Sequence, residues 1–151
     1  ARTASVAPSW SGCVLRTIAD SGPLIALFEP AECNHVRVRR FIENYEGALL
    51  TTWPVLTEVG HMLGHSVDRQ LAFLQWVERG GVEVTTSGAG AVSLIRQLSE
   101  KYRDLPMDIA DRSLIVLALE SGVRDILTLD RDFDVYRLPD RSRFNNVLAT
   151  T

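Results

Sequence analysis

Short apolar runs alternate along this chain with longer stretches in which apolar and polar residues mix at helical spacing. "CVLRTIAD", "GALLTT", "VEVTT" and "DILTL" read as brief buried strands, and "FNNVLAT" reads as a last, edge strand. "SGPLIALF" reads as a short helix with Ser21 as cap and Pro23 in its first turn. "HVRVRRFIENY" reads as a helix with mixed faces. In "WPVLTEVGHMLGH", Pro54 marks a helix start, and Val55, Leu56, Val59, Met62 and Leu63 recur at helical spacing. Asp68 is the expected cap of the next helix, with Leu71, Leu74 and Val77 as its apolar stripe and Gly80-Gly81 as its end. "GAVSLIRQLSEKY" is amphipathic, and "RDLPM" is a loop. Asp108 opens "IADRSLIVLALES", which Gly122 stops.

Strands alternating with helices imply an α/β fold: a Rossmann-like parallel sheet of four to five strands flanked by helices. In such sheets the ligand site lies beyond the carboxyl ends of the strands. No repeat or low-complexity linker interrupts residues 14–148, and 151 residues suit one domain, placed at 14–151. The start, 1–13, lacks the apolar core of a signal peptide and reads as a flexible tail or a cloning remnant.

Carboxylates change the picture. Asp20 ends the first strand and Asp130 the fourth. Glu58 lies in the first turns of the helix after the second strand, and Asp111 in the first turn of the helix before the fourth. Asp111 shares a face with Leu114, Ile115 and Ala118 and is expected to turn toward the sheet. Four acids distant in sequence would thus meet at one sheet edge. Converging carboxylates do not all stay ionised without a cation, and hard oxygen donors suit Mg²⁺ or Mn²⁺. Such a centre activates water for in-line attack on phosphorus.

Other readings narrow this one. There is no GxxxxGK[ST] motif, and Gly88 and Gly90 form no GxGxxG after a strand. Asp130, Asp132 and Asp134 resemble the opening of an EF-hand loop, but Val135 and Arg141 stand where that loop needs Gly and Glu. Asp134 suits a solvated turn paired with Arg137, and Asp108 a helix cap. His61 and His65, four residues apart and one turn after Glu58, offer a zinc hydrolase in principle, without the HExxH order. Arg37, Arg39 and Arg40 form a basic helix face that becomes a set of phosphate contacts if RNA is bound; Arg141 and Arg143 add charge near the end.

The net charge of −3 does not advertise a nucleic-acid binder, although a pocket of carboxylates lowers the total without describing the rest of the surface. The two cysteines, Cys13 and Cys33, form no CxxC. A reducing compartment is the simple reading, with one disulfide left open. No apolar run approaches membrane-spanning length, and a cytoplasmic protein is expected.

The motifs "IADSGPLIALF", "TTWPVLTEVGHML", "YRDLPMDIADRSLIVLALESG" and "ILTLDRDFDVY", in that order over roughly residues 16–148, resemble the PIN domain of VapC-type toxins from toxin–antitoxin pairs. The resemblance implies a Mg²⁺- or Mn²⁺-dependent endoribonuclease with Asp20, Glu58, Asp111 and Asp130 as its acids and Asp132 as an accessory acid. Ser21 takes the place of a hydroxyl that orients the first Asp or a metal-bound water. Pro23 departs from the family pattern and is expected to shift the first helix start while sparing Asp20. A homodimer and a silencing antitoxin are the implied partners. The competing reading keeps the fold but not the turnover, as a catalytically silent interaction module.

Overall fold

The computed structural model describes residues 14–149. The expected tail at 1–13, with Cys13, lies outside the described residues, as do positions 150 and 151 of the expected domain. The strands are β1 (Arg16–Ala19), β2 (Ala48–Thr52), β3 (Glu83–Thr85), β4 (Asp125–Leu127) and β5 (Asn145–Asn146). They form one parallel sheet in the order β3-β2-β1-β4-β5. The helices are α1 (Ser21–Phe28), α2 (His35–Asn44), α3 (Trp53–Met62), α4 (Val67–Glu78), α5 (Gly90–Lys101) and α6 (Ile109–Ser121), and a 3₁₀ turn covers Arg131–Asp134. Among the described residues no helix is long and apolar enough to cross a membrane.

The middle of the sheet positions the site. In register, Ile18 of β1 faces Leu50 of β2 and Ile126 of β4, all buried. The Asp20 N–H continues this ladder one residue past β1 by donating to Leu127 O at 3.0 Å. The chain therefore leaves β1 and β4 side by side at the same sheet edge. α6 packs on β1, β2, α3 and α5, and brings Leu114, Ile115, Leu117 and Ala118 into the core. Asp108 caps it, and Gly122 stops it in the left-handed region (φ 75°), a conformation that glycine adopts without a Cβ penalty.

Several local expectations are corrected. Asp20, not Ser21, caps α1, because the strand end places its carboxylate over the Ser21 N–H. α1 begins directly after Asp20, so Pro23 does not shift the start. At the third helical position its missing N–H costs nothing, since the first four amides lack partners within a helix. Ser66, not Asp68, caps α4, its hydroxyl accepting from the Arg69 N–H. The α4 stripe is also rotated: Leu71 and Leu74 are 58% and 53% exposed, while Phe73 is fully buried and makes an edge contact with Phe28 at 5.5 Å. β4 stops at Leu127, two residues early, as Thr128 turns its hydroxyl to the site.

Candidate active site

Asp20 is the best-determined acid of the site. It is 4% exposed, and each oxygen has one donor. Oδ1 accepts from the Ser21 N–H at 2.7 Å, and Oδ2 from the Thr128 hydroxyl at 2.7 Å. Burial pushes its pKa up to about 6 against the pull of these two bonds, and the nearby charges of Glu58 and Asp130 push the same way. Asp20 is thus a carboxylate held in orientation yet kept from ionising freely.

Asp111 shows the same tension. Burial first, then the charges of Asp108, Asp20 and Asp130, push its pKa up to about 7. Half-buried at the third position of α6, it closes a capping box. It accepts a long 3.3 Å bond from the Asp108 N–H while its own N–H donates to Asp108 Oδ1 at 2.8 Å. Asp130 is half-buried and caps the 3₁₀ turn, Oδ1 accepting from the Asp132 N–H at 2.8 Å; its own N–H donates to the Thr128 hydroxyl oxygen at 3.0 Å. Glu58 is half-buried on α3 and lines a groove of about 530 Å³ with Thr57, His61, Asp108 and Ile109.

The charges of Asp20 and Asp130 thus bear on Asp111, and those of Glu58 and Asp130 on Asp20. None of the four forms an ion pair with lysine or arginine among the described residues. The donors are all oxygen and their mutual repulsion is uncompensated, which fits a hard divalent cation. Among the described residues no three Asp, Glu, His or Cys side chains stand in a ready metal cage. Mg²⁺ does not require one, since it keeps several waters and takes only one or two carboxylates directly.

Comparison with known proteins gives the lineage. Ribonuclease VapC26 of Mycobacterium tuberculosis (strain ATCC 25618 / H37Rv) is 34% identical over 116 residues, 76% of this chain and 86% of that protein. This chain belongs to the VapC-type PIN-domain family. The crystal structure of Mycobacterium tuberculosis VapC20, a sarcin-ricin loop cleaving toxin, matches the fold with a TM-score of 0.72 at 15% identity, over 79% of this chain and 93% of that one. No protein-family profile matches the sequence.

Within this chain the remaining candidates separate. Asp132 is half-buried beside Asp130 through its N–H, and Ser21 contributes its backbone N–H to Asp20. Asp134 is exposed, and Arg137 bonds its backbone carbonyl rather than its carboxylate, so the expected pair is replaced by a turn clasp. His65 is drawn away from Glu58: Nδ1 meets Met62 O at 3.1 Å and Nε2 meets Glu29 Oε2 at 2.9 Å, where Arg69 also pairs. His61 stays exposed on the groove with Glu58. On α2, Arg39 pairs with Glu43 at 2.7 Å, Arg37 donates to the Leu148 carbonyl, and exposed Arg40 lines a groove with Arg37, Phe41 and Asn44.

Thr128 carries no motif signal and was not among the sequence candidates. Its hydroxyl, 1% exposed, links the first and fourth acids by donating to Asp20 and accepting from the Asp130 N–H. The one hint in the sequence is a hydroxyl in an apolar strand just before Asp130. Thr128→Val should lower stability by about 1–3 kcal/mol, because it strands a buried acceptor and an N–H. Thr128→Ser should restore most of that loss. Urea unfolding of both variants at one pH measures it; a Val variant as stable as wild type would remove Thr128 from the site.

Proposed function

We propose that this protein is a divalent-metal-dependent endoribonuclease, the toxin of a type II toxin–antitoxin pair, hydrolysing RNA phosphodiester bonds in the cytoplasm. The observation that carries the reading is the gathering of Asp20, Asp111 and Asp130, the first and second pushed well above the ordinary carboxylate range by burial and neighbouring acids, with no ion pair to Lys or Arg among the described residues. The VapC relationship agrees with it: one relative is named a ribonuclease.

In this reading Asp20, Glu58, Asp111 and Asp130 hold Mg²⁺ or Mn²⁺. Bound there, the ion would supply a water of lowered pKa and charge stabilisation at the phosphate oxygens. The chain's own part is to fix the donors in advance. Ser21 N–H and Thr128 orient Asp20, and Asp132 N–H orients Asp130, so little reorganisation remains when charge develops. Asp132 and Ser21 act as accessories. The groove between α3 and the start of α6 runs past Glu58 and leaves room for an extended strand. Arg37 and Arg40, and Arg39 once released from Glu43, would take phosphates, with affinity falling as salt rises. A homodimer and an antitoxin protein are the expected partners.

The test is cleavage of a labelled RNA in EDTA and after adding back Mg²⁺ or Mn²⁺. Cleavage that depends on the added ion supports the proposal. A folded protein that cleaves no RNA with either ion would favour the silent interaction module. The zinc alternative receives no support from His65, which is engaged by Glu29. Replacing His61 and His65 together by Gln should leave Mg²⁺-dependent cleavage within a few-fold of wild type. Complete loss with the fold intact would restore the histidines as ligands.

A further inference from the structure

Trp53 stands 59% exposed at the first position of α3, directly after β2. The other described tryptophan is used differently. Trp76 packs its ring against Phe28 at 5.6 Å, whereas Trp53 makes no ring contact among the described residues. An indole left in water forgoes the burial of a large apolar surface. Its backbone is nonetheless firmly placed: Pro54 fixes the second position of the helix, and the Thr57 hydroxyl donates to Trp53 O at 3.0 Å.

Trp53 borders a cavity of about 250 Å³ whose other walls include Pro54, Ala91, Ile95 and Val116. No charged side chain lines it, so it suits an uncharged planar group rather than a phosphate. Three of its hydroxyls have their protons committed to the protein. Thr85 donates to Thr51 O at 3.1 Å and Ser113 to Ala110 O at 2.6 Å, which leaves Thr52 to donate to Ser113 Oγ at 2.6 Å. What the cavity offers is mainly apolar contact and the face of the indole.

The sheet sets its place relative to the acids. Ile18 of β1 pairs with Leu50 of β2, and Thr52 with Thr85 of β3, so Asp20, Thr52 and Thr85 fall in one row across the carboxyl edge. Neighbouring strands lie about 4.8 Å apart, which puts the cavity one to two strand widths, about 5–10 Å, from Asp20. Pro54 also borders the groove that runs past Glu58, so the two spaces meet at its ring.

We propose that Trp53 and this cavity form a base-binding subsite, in which one nucleobase of a single-stranded RNA stacks on the indole while the adjoining backbone lies along the groove beside Glu58. The inference rests on the ribonuclease reading of the acids and adds to it a contact with the base, where the arginines of α2 would address phosphates alone. Every base has a π face, so stacking here admits all four with modest preference and serves to hold the strand in place over the acids.

The experiment follows binding and cleavage of a fluorescent single-stranded RNA oligonucleotide by Trp53→Ala and Trp53→Phe. Binding is read by polarisation with Asp20→Asn also present, so that turnover does not intrude; cleavage is read without it, in Mn²⁺. Trp53→Ala should weaken binding and raise KM about tenfold, with kcat within a few-fold, and Trp53→Phe should keep most of the affinity. Thermal unfolding should stay level, since the indole is exposed. Versions of the same RNA with one abasic nucleotide each identify the occupant. One position should reproduce the tenfold loss when Trp53 is present and have no further effect on Trp53→Ala. Unchanged RNA affinity of Trp53→Ala, or abasic losses equal in both proteins at every position, would overturn the inference. So would a change of oligomeric state in Trp53→Ala on sedimentation, which would assign the indole to a contact between copies. A protein whose RNA affinity depends on Trp53 in this way, but which cleaves nothing with added metal, would sink the ribonuclease reading and keep the subsite.

Discussion

Asp20→Asn should lower RNA cleavage by about 100-fold or more while leaving the fold intact. The two side chains have nearly the same volume. The Ser21 N–H still finds an oxygen, and the Thr128 hydroxyl can rotate to accept from the new amide. What disappears is the negative charge at the most buried of the acids. In the metal-dependent reading, water activation and stabilisation of phosphate charge would both depend on that charge, so both would fail together. Without metal the variant should be as stable as wild type or more so, since burial and the charges of Glu58 and Asp130 both oppose ionisation of Asp20. Excess Mn²⁺ should recover part of the activity if weakened binding is the main defect. Cleavage of a labelled RNA across a metal titration, beside thermal unfolding in EDTA, measures all three. Wild-type-like cleavage by a folded Asp20→Asn protein would refute the mechanism.

The second large effect concerns pH. An acid whose pKa is higher in the folded than in the unfolded chain favours folding only while protonated. Its contribution is complete below the unfolded pKa and is lost as pH rises through the folded one. Asp20, raised to about 6, and Asp111, raised to about 7, therefore make the metal-free protein less stable at pH 8 than at pH 5. For Asp20 the loss is on the order of 3 kcal/mol. Asp111 is more exposed and contributes less. Thermal unfolding in EDTA should show a midpoint falling by several degrees between pH 5 and 8, and Mg²⁺ or Mn²⁺ should restore it at pH 8. Asp20→Asn should flatten the lower part of that profile and Asp111→Asn the upper part. A midpoint that holds level or rises over this range would mean that the acids are compensated by other groups.

Much of this architecture is written in local signals. Asp108, Gly122 and the apolar run between them mark α6 because a cap, a left-handed stop and a buried stripe all belong to one element. The acids Asp20 and Asp130 could be assigned to one edge because parallel strands end on the same side. What depends on three-dimensional neighbours was not legible. Helical periodicity groups Leu71, Leu74 and Val77, yet the pocket beside Phe28 takes Phe73 and rotates α4 by its own packing. Ser66 displaces Asp68 as a cap because the choice lies in the backbone angle at the turn, where Ser66 is extended. Thr128 looks like any β-branched strand residue until the strand beside it is known.

The bond from Thr128 to Asp20 joins residues 108 positions apart, across adjacent central strands. That separation bears on how the protein is made. A growing chain that has reached only β3 carries Asp20 and Glu58 but neither Asp111, Thr128 nor Asp130. The acid cluster can close only after α6 and β4 have been synthesised and β4 has slotted in beside β1, a long-range pairing of the slow-forming kind. Fragments released before β4 is made are thus unable to bring these acids together, and the cluster forms only in chains synthesised past Asp130.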